Sequence, residues 1–94
     1  MAKEQVIQKK IINYLESEGA YVVKVISASK SGVHDILFCY EGLFGSVEVK
    51  TPETRNNVSA LQEYNMDKIH QAGGHSIVAW ELSQVEDLLK RMLA

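Results

Sequence analysis

Apolar residues recur at Ile7, Ile11, Tyr14 and Leu15, the spacing of one helical face, while Lys9, Lys10 and Asn13 fall off that stripe. The pattern predicts a helix over Lys3–Glu18, closed by Gly19 in the position that favours a left-handed C-terminal cap. Tyr21–Ile26 is β-branched and aromatic and predicts a strand. A polar loop, Ser27–Gly32, leads to a second predicted strand, Asp35–Tyr40. Glu41-Gly42-Leu43 is expected to turn tightly into a third, Phe44–Lys50, so that the two form a hairpin. Thr51–Val58 carries the only proline, Pro52, and the pair Asn56-Asn57, and reads as a loop. Ser59-Ala60-Leu61-Gln62 and Ser83-Gln84-Val85-Glu86 both have the capping-box pattern. The first opens a helix bearing Leu61, Tyr64, Ile69 and Ala72, which stops at Gly73-Gly74. The second opens a last helix with Val85, Leu88, Leu89 and Met92 on one face. His75–Trp80, between them, predicts a fourth strand. The order αβββαβα implies an α/β fold with one mixed sheet flanked by helices, uninterrupted by repeats, low-complexity segments or linkers.

The chain has 94 residues, enough for a single compact domain over 1–94 and too few for two. Its 46% hydrophobic content supports a core. A domain of this size buries only ~60–70% of its unfolded surface, so a partner subunit would add stability. The formal net charge of -2 argues against a general electrostatic nucleic-acid binder. A local basic groove beside an acidic site remains compatible with it. A single cysteine, Cys39, excludes an intrachain disulfide and a zinc cluster. Placed inside the run Asp35–Tyr40, it is expected to fill the core. This composition suits a reducing cytoplasm. No apolar run approaches the ~20 residues that span a bilayer, and Met1–Gln5 lacks the apolar stretch of a signal peptide. No membrane partner is therefore expected.

The chemistry concentrates in two short segments. Asp35 stands at the mouth of the second strand, and Glu48-Val49-Lys50 closes the third. Residues two apart on a strand share a face, so Glu48 and Lys50 project together while Val49 points into the core. A turn centred on Gly42 sets Asp35 against Val49, between Glu48 and Lys50. Two carboxylates suit a hard divalent cation such as Mg²⁺, completed by a backbone carbonyl (that of Val49), waters and a substrate phosphate. Lys50 would then orient or deprotonate the attacking water, or stabilise the charge that develops at phosphorus. Glu-x-Lys on a strand is common by chance. What sharpens it is the pairing with Asp35, with charges flanking strands that are otherwise apolar.

Gly32-Val33-His34-Asp35-Ile36-Leu37-Phe38, Glu48-Val49-Lys50 and Leu61-Gln62 together resemble the VRR-NUC domain of the PD-(D/E)XK nuclease superfamily, in its stand-alone, phage-type form. The resemblance spans roughly Lys3–Trp80. It implies that Asp35 and Glu48 are metal ligands, Lys50 the catalytic lysine and Gln62 an accessory polar residue on the following helix. Glu4 would be the helix-one carboxylate that reaches the metal directly or through water. The resemblance further implies Mg²⁺ or Mn²⁺ dependence, endonuclease action on DNA and, for stand-alone members, a homodimer acting on branched DNA such as four-way (Holliday) junctions. One departure stands out. The family usually has proline before the aspartate, where this chain has His34. That histidine is a bystander, a phosphate contact or an extra ligand, and a hard-cation site favours the first two.

Each accessory residue has a plainer reading as well. Gln62 closes a capping box and could simply serve the helix start. Glu4 lies in a first helical turn, where acids favour the dipole anyway; Glu16 and Glu18 are weaker alternatives. Ser29, Lys30 and Ser31, with Ser27, form either a phosphate-contacting loop or a solvated one. Lys9, Lys10, Lys24 and Arg55 either extend a phosphate track or are ordinary surface. His70 and His75 read as surface, and Tyr64 and Trp80 as core or subunit interface. No aromatic–basic interleaving suggests base stacking, so recognition should rest on shape and backbone. Two rivals remain: a catalytically weak DNA-binding or scaffold module that kept the fold, and a metal-free RNA endonuclease that would need His34 as its general acid/base.

Overall fold

The computed structural model describes residues 2–94. Its elements are α1 (Lys3–Ser17), β1 (Tyr21–Lys24), β2 (Ile36–Tyr40), β3 (Leu43–Val49), α2 (Ala60–Gln71), β4 (His75–Ala79) and α3 (Leu82–Met92). The strands form one mixed sheet in the order β1-β2-β3-β4. The first two pairings are antiparallel, and β3 and β4, joined through α2, run parallel. The predicted α/β order αβββαβα is the observed one.

The hairpin turn differs from the expectation by one residue, and the difference matters. Tyr40 pairs with Leu43, so the turn is Glu41-Gly42 alone. Both residues take positive φ, 52° and 77°, as in the two-residue turns whose twist matches the flanking strands. The ladder then runs through Ile36 opposite Val47, and its continuation sets Asp35 against Glu48 rather than Val49. Directly opposed residues share a sheet face. The three-residue turn would have aimed Asp35 with Val49, away from Glu48.

The two faces of the sheet are covered unequally. Ile36, Phe38, Val47, Val49 and Ala79 point to one face and join Ile11 and Leu15 of α1 and Val85, Leu88, Leu89 and Met92 of α3 in the core. The other face carries Leu37, Cys39, Phe44, Ser46, Glu48 and Ser76. There α2 lies over the β3–β4 half, while the β1–β2 half is open. Cys39 is therefore exposed, contrary to its expected place in the core, because no helix covers its row. Tyr21, in the same row, is 74% exposed.

Helix α2 contributes no fully buried residue, and Leu61 and Tyr64 of its predicted apolar stripe are exposed. It is held largely by polar links. Asn65 Nδ2 donates to the Ser31 carbonyl at 2.9 Å, and the His70 ring lies 3.0 Å from the Ser76 carbonyl. The α3 cap also moves from the expected Ser83 box. Gln84 Oε1 accepts from the Trp80 and Glu81 N–H groups at 2.7 and 3.2 Å, so the helix starts two residues earlier.

Gly32 brings the loop before β2 against α2. It has φ +78°, and a Cβ there would lie 2.6 Å from Leu61 Cβ. Gly32→Ala is expected to destabilise the protein by about 2–4 kcal/mol, from left-handed strain plus the clash. Thermal melting of the variant should drop by at least several degrees. An unchanged midpoint would mean that the loop and α2 separate without cost.

Candidate active site

Asp35 sits in the bend that enters β2, and Glu48 and Lys50 follow along β3 on the same face. Asp35 Oδ2 accepts the Val49 N–H at 2.8 Å, which ties the start of β2 to the end of β3. Lys50 Nζ lies 3.5 Å from Glu48 Oε2, and the Lys50 side chain is only 14% exposed. Its own N–H donates to the Ala79 carbonyl at 2.9 Å, so the parallel ladder with β4 fixes its backbone. The three groups singled out in the sequence are thus brought together by strand pairing.

Glu48 is buried, and its environment sets its acidity. Burial, and next the Asp35 charge, push its carboxyl up to about 7, against an opposing pull from Lys50. Oε2 accepts from Gln62 Nε2 at 2.9 Å. Oε1 is buried with no hydrogen-bond partner. An orphaned carboxylate oxygen is costly in a dry site unless something cationic meets it.

Gln62 closes the capping box and also reaches Glu48. Its Oε1 accepts the Ser59 N–H at 3.0 Å, and its own N–H is capped by Ser59 Oγ at 3.1 Å. The other end of the same amide holds Glu48. A cap residue on the first turn of α2 therefore also anchors the buried acid.

His34 is not available to substrate. It is 1% exposed, with Nδ1 3.0 Å from Ser46 Oγ and Nε2 3.1 Å from the Gln62 carbonyl. Both ring nitrogens are engaged, which removes it as a phosphate contact and as the general acid/base of a metal-free ribonuclease. Burial lowers its pKa, so the ring is held neutral. The sequence reading missed its partners Ser46 and Ser76, whose hydroxyls lie 2.6 Å apart. The available signal was a serine in the middle of each of two apolar strands.

Glu4 lies in the first turn of α1, and among the described residues no three His, Cys, Asp or Glu side chains form a metal-holding group, so Glu4 does not complete one with Asp35 and Glu48. Two carboxylates nevertheless fit Mg²⁺, which commonly takes one or two from the protein and fills its remaining positions with water and substrate oxygens. The unpartnered Glu48 oxygen is the observation that makes the fit. Ser29 and Lys30 are exposed on their loop, and Ser31 gives its carbonyl to Asn65. Beyond Lys50, Thr51 and Thr54 lock the following loop through reciprocal hydrogen bonds of 2.9 and 3.2 Å. Arg55 stacks at 5.9 Å over the half-buried Trp80.

No family model and no curated protein matches the sequence. A solved structure described as a VRR_NUC domain is similar throughout, with a TM-score of 0.80, covering 96% of this chain and 97% of that one at 26% sequence identity. Among the described residues no helix is long and apolar enough to cross a membrane. The shared architecture gives this chain the VRR-NUC fold and supports its reading as a nuclease-type domain.

Proposed function

We propose that the chain is a Mg²⁺-dependent endodeoxyribonuclease, with Mn²⁺ as a substitute, that hydrolyses phosphodiester bonds in branched DNA such as a four-way junction. The observation that carries this reading is the buried, unpartnered Oε1 of Glu48, beside Asp35 and 3.5 Å from the Lys50 ammonium across the other oxygen. Asp35 and Glu48 would hold the cation, with the Val49 carbonyl as the main-chain ligand. When bound, Mg²⁺ neutralises charge at the phosphate and makes a coordinated water more acidic. Lys50, as its ammonium, would orient the attacking water and stabilise the charge that builds on the phosphoryl oxygens; only as the neutral amine could it take the water's proton. Gln62 keeps Glu48 in place. Ser29, Lys30 and Ser31 contact the phosphate backbone from their exposed loop.

Selectivity for branched DNA rests on the likeness to stand-alone VRR-NUC domains. A homodimer would set two sites about a twofold axis, suited to paired cuts in a symmetric junction. The open apolar face that carries Tyr21, Val23 and Phe44, exposed by 74, 42 and 44%, supports such an assembly. The expected compartment is the cytoplasm of a bacterial or phage-infected cell.

The test is incubation with linear, flap and four-way-junction DNA in Mg²⁺, Mn²⁺ or EDTA, with Asp35→Asn as the site control. Cleavage is expected with either metal, preferentially on branched substrates, and is expected to stop in EDTA and in Asp35→Asn. Turnover in EDTA would sink the metal mechanism. Metal-indifferent junction binding without turnover would instead identify a DNA-binding module. Sedimentation checks the dimer separately.

A further inference from the structure

Behind the acids lies a buried polar chain that the proposed chemistry does not use. A main-chain carbonyl only accepts, so His34 Nε2 carries the proton and donates to the Gln62 carbonyl at 3.1 Å. Nδ1 is then the acceptor, within 3.0 Å of Ser46 Oγ and 3.2 Å of Ser76 Oγ. One hydroxyl donates to the ring, and the two share their 2.6 Å bond. His34 thus bridges the middle of β3 and β4 to the first turn of α2, one residue before Asp35 and beside the side chain that holds Glu48.

That bridge matters because α2 buries no residue fully. Its N-terminal turn rests on the close approach of Gly32 to Leu61 and on hydrogen bonds, and among these the His34 bond is the one made to Gln62's own carbonyl. If the turn shifts, Gln62 Nε2 leaves Glu48 Oε2, 2.9 Å away. The carboxylate would then be free to rotate, and Oε1 would lose its fixed direction. A proline at this position, as the VRR-NUC resemblance leads one to expect, has no donor with which to reach Gln62.

We propose that His34 is a positioning residue: by pinning the Gln62 carbonyl it sets the Gln62–Glu48 hydrogen bond and so aims Glu48 Oε1 at the cation. The inference rests on the reading of Glu48 as a cation ligand. Partners that orient a ligand commonly matter about 10–100-fold in metal affinity.

The test uses the whole chain without DNA: MnCl₂ titration by calorimetry, and NMR of the Gln62 side-chain amide, for wild type, Glu48→Gln, His34→Phe, His34→Gln and His34→Asn. His34→Phe keeps the bulk and removes both hydrogen bonds. It is expected to weaken Mn²⁺ binding about tenfold or more and to move the Gln62 amide to the position of a free amide. His34→Gln places a donor near Nε2 and should restore both readouts, whereas His34→Asn is too short to reach Gln62 and should not. Wild-type affinity together with an unmoved Gln62 amide in His34→Phe would overturn the proposal. Should His34→Phe not fold, equal affinities in the Gln and Asn variants would overturn it. If wild type binds no Mn²⁺, or Glu48→Gln binds it equally well, the cation reading fails instead, and the amide signal alone decides the positioning.

Discussion

Lys50→Ala is expected to slow cleavage by about 10²–10⁴-fold, the usual contribution of a positioned acid–base or charge-stabilising side chain. Among the described residues its ammonium is the cationic side chain paired with these acids, 3.5 Å from Glu48 Oε2 and largely out of solvent. Loss of the ammonium has a second, separable effect. Lys50 opposes the burial that raises the Glu48 carboxyl, so its removal pushes that group above about 7. Cation binding in Lys50→Ala should accordingly need a higher pH for half-saturation. Lys50→Arg keeps the charge in a different shape, and should hold the pH position of cation binding while cleavage stays poor. Single-turnover cleavage of a labelled four-way junction measures the first effect, and Mn²⁺ affinity against pH the second. A rate within threefold of wild type would show that Lys50 is only a counter-ion.

Glu48→Gln is expected to destroy activity and at the same time to stabilise the protein without metal. A carboxyl whose folded pKa is about 7 against an ordinary 4.5 holds its proton more tightly when folded. Below 4.5 both states are protonated and burial carries no penalty. As pH rises from 4.5 to 7 the unfolded chain releases the proton first, and stability falls. Above 7 the whole penalty is present, on the order of 3 kcal/mol. Glutamine has nearly the same shape, and its carbonyl can accept from both Gln62 and Lys50. At pH 8 the variant should melt about 10 °C above wild type, and near pH 4.5 the two should coincide. Mg²⁺ should raise the wild-type melting temperature and leave the variant unmoved.

His34 contributes the opposite slope. Its lowered pKa means that stability is present above 6.5 and is lost as pH falls below it, because the unfolded ring takes up a proton first. In Glu48→Gln that slope should stand alone, with stability rising through pH 6.5 and then levelling. A variant less stable than wild type at pH 8 would mean that the Glu48 carboxylate is already compensated in the free protein.

Helix and strand order could be read from the chain because periodicity, glycine stops and capping residues act over a few neighbours. The same locality put Glu48 and Lys50 on one face, since alternation along a strand is a property of the backbone. Gln62 could be located as a cap but not as a partner of Glu48, because that bond depends on how α2 leans over β3.

What the sequence determined by itself is therefore the inventory and its order: the αβββαβα succession, the hairpin, and the residue types able to grip a hard cation and assist hydrolysis. Tertiary structure decided the rest. A single residue in the turn put Asp35 opposite Glu48, on its face of the sheet. The open half of that face exposed Cys39. Closure of α2 over β3 and β4 buried His34, stripped water from Glu48 and left one of its oxygens unmatched. Each of these depends on what lies across the sheet from a residue, and long-range packing, not local backbone preference, sets desolvation and charge proximity.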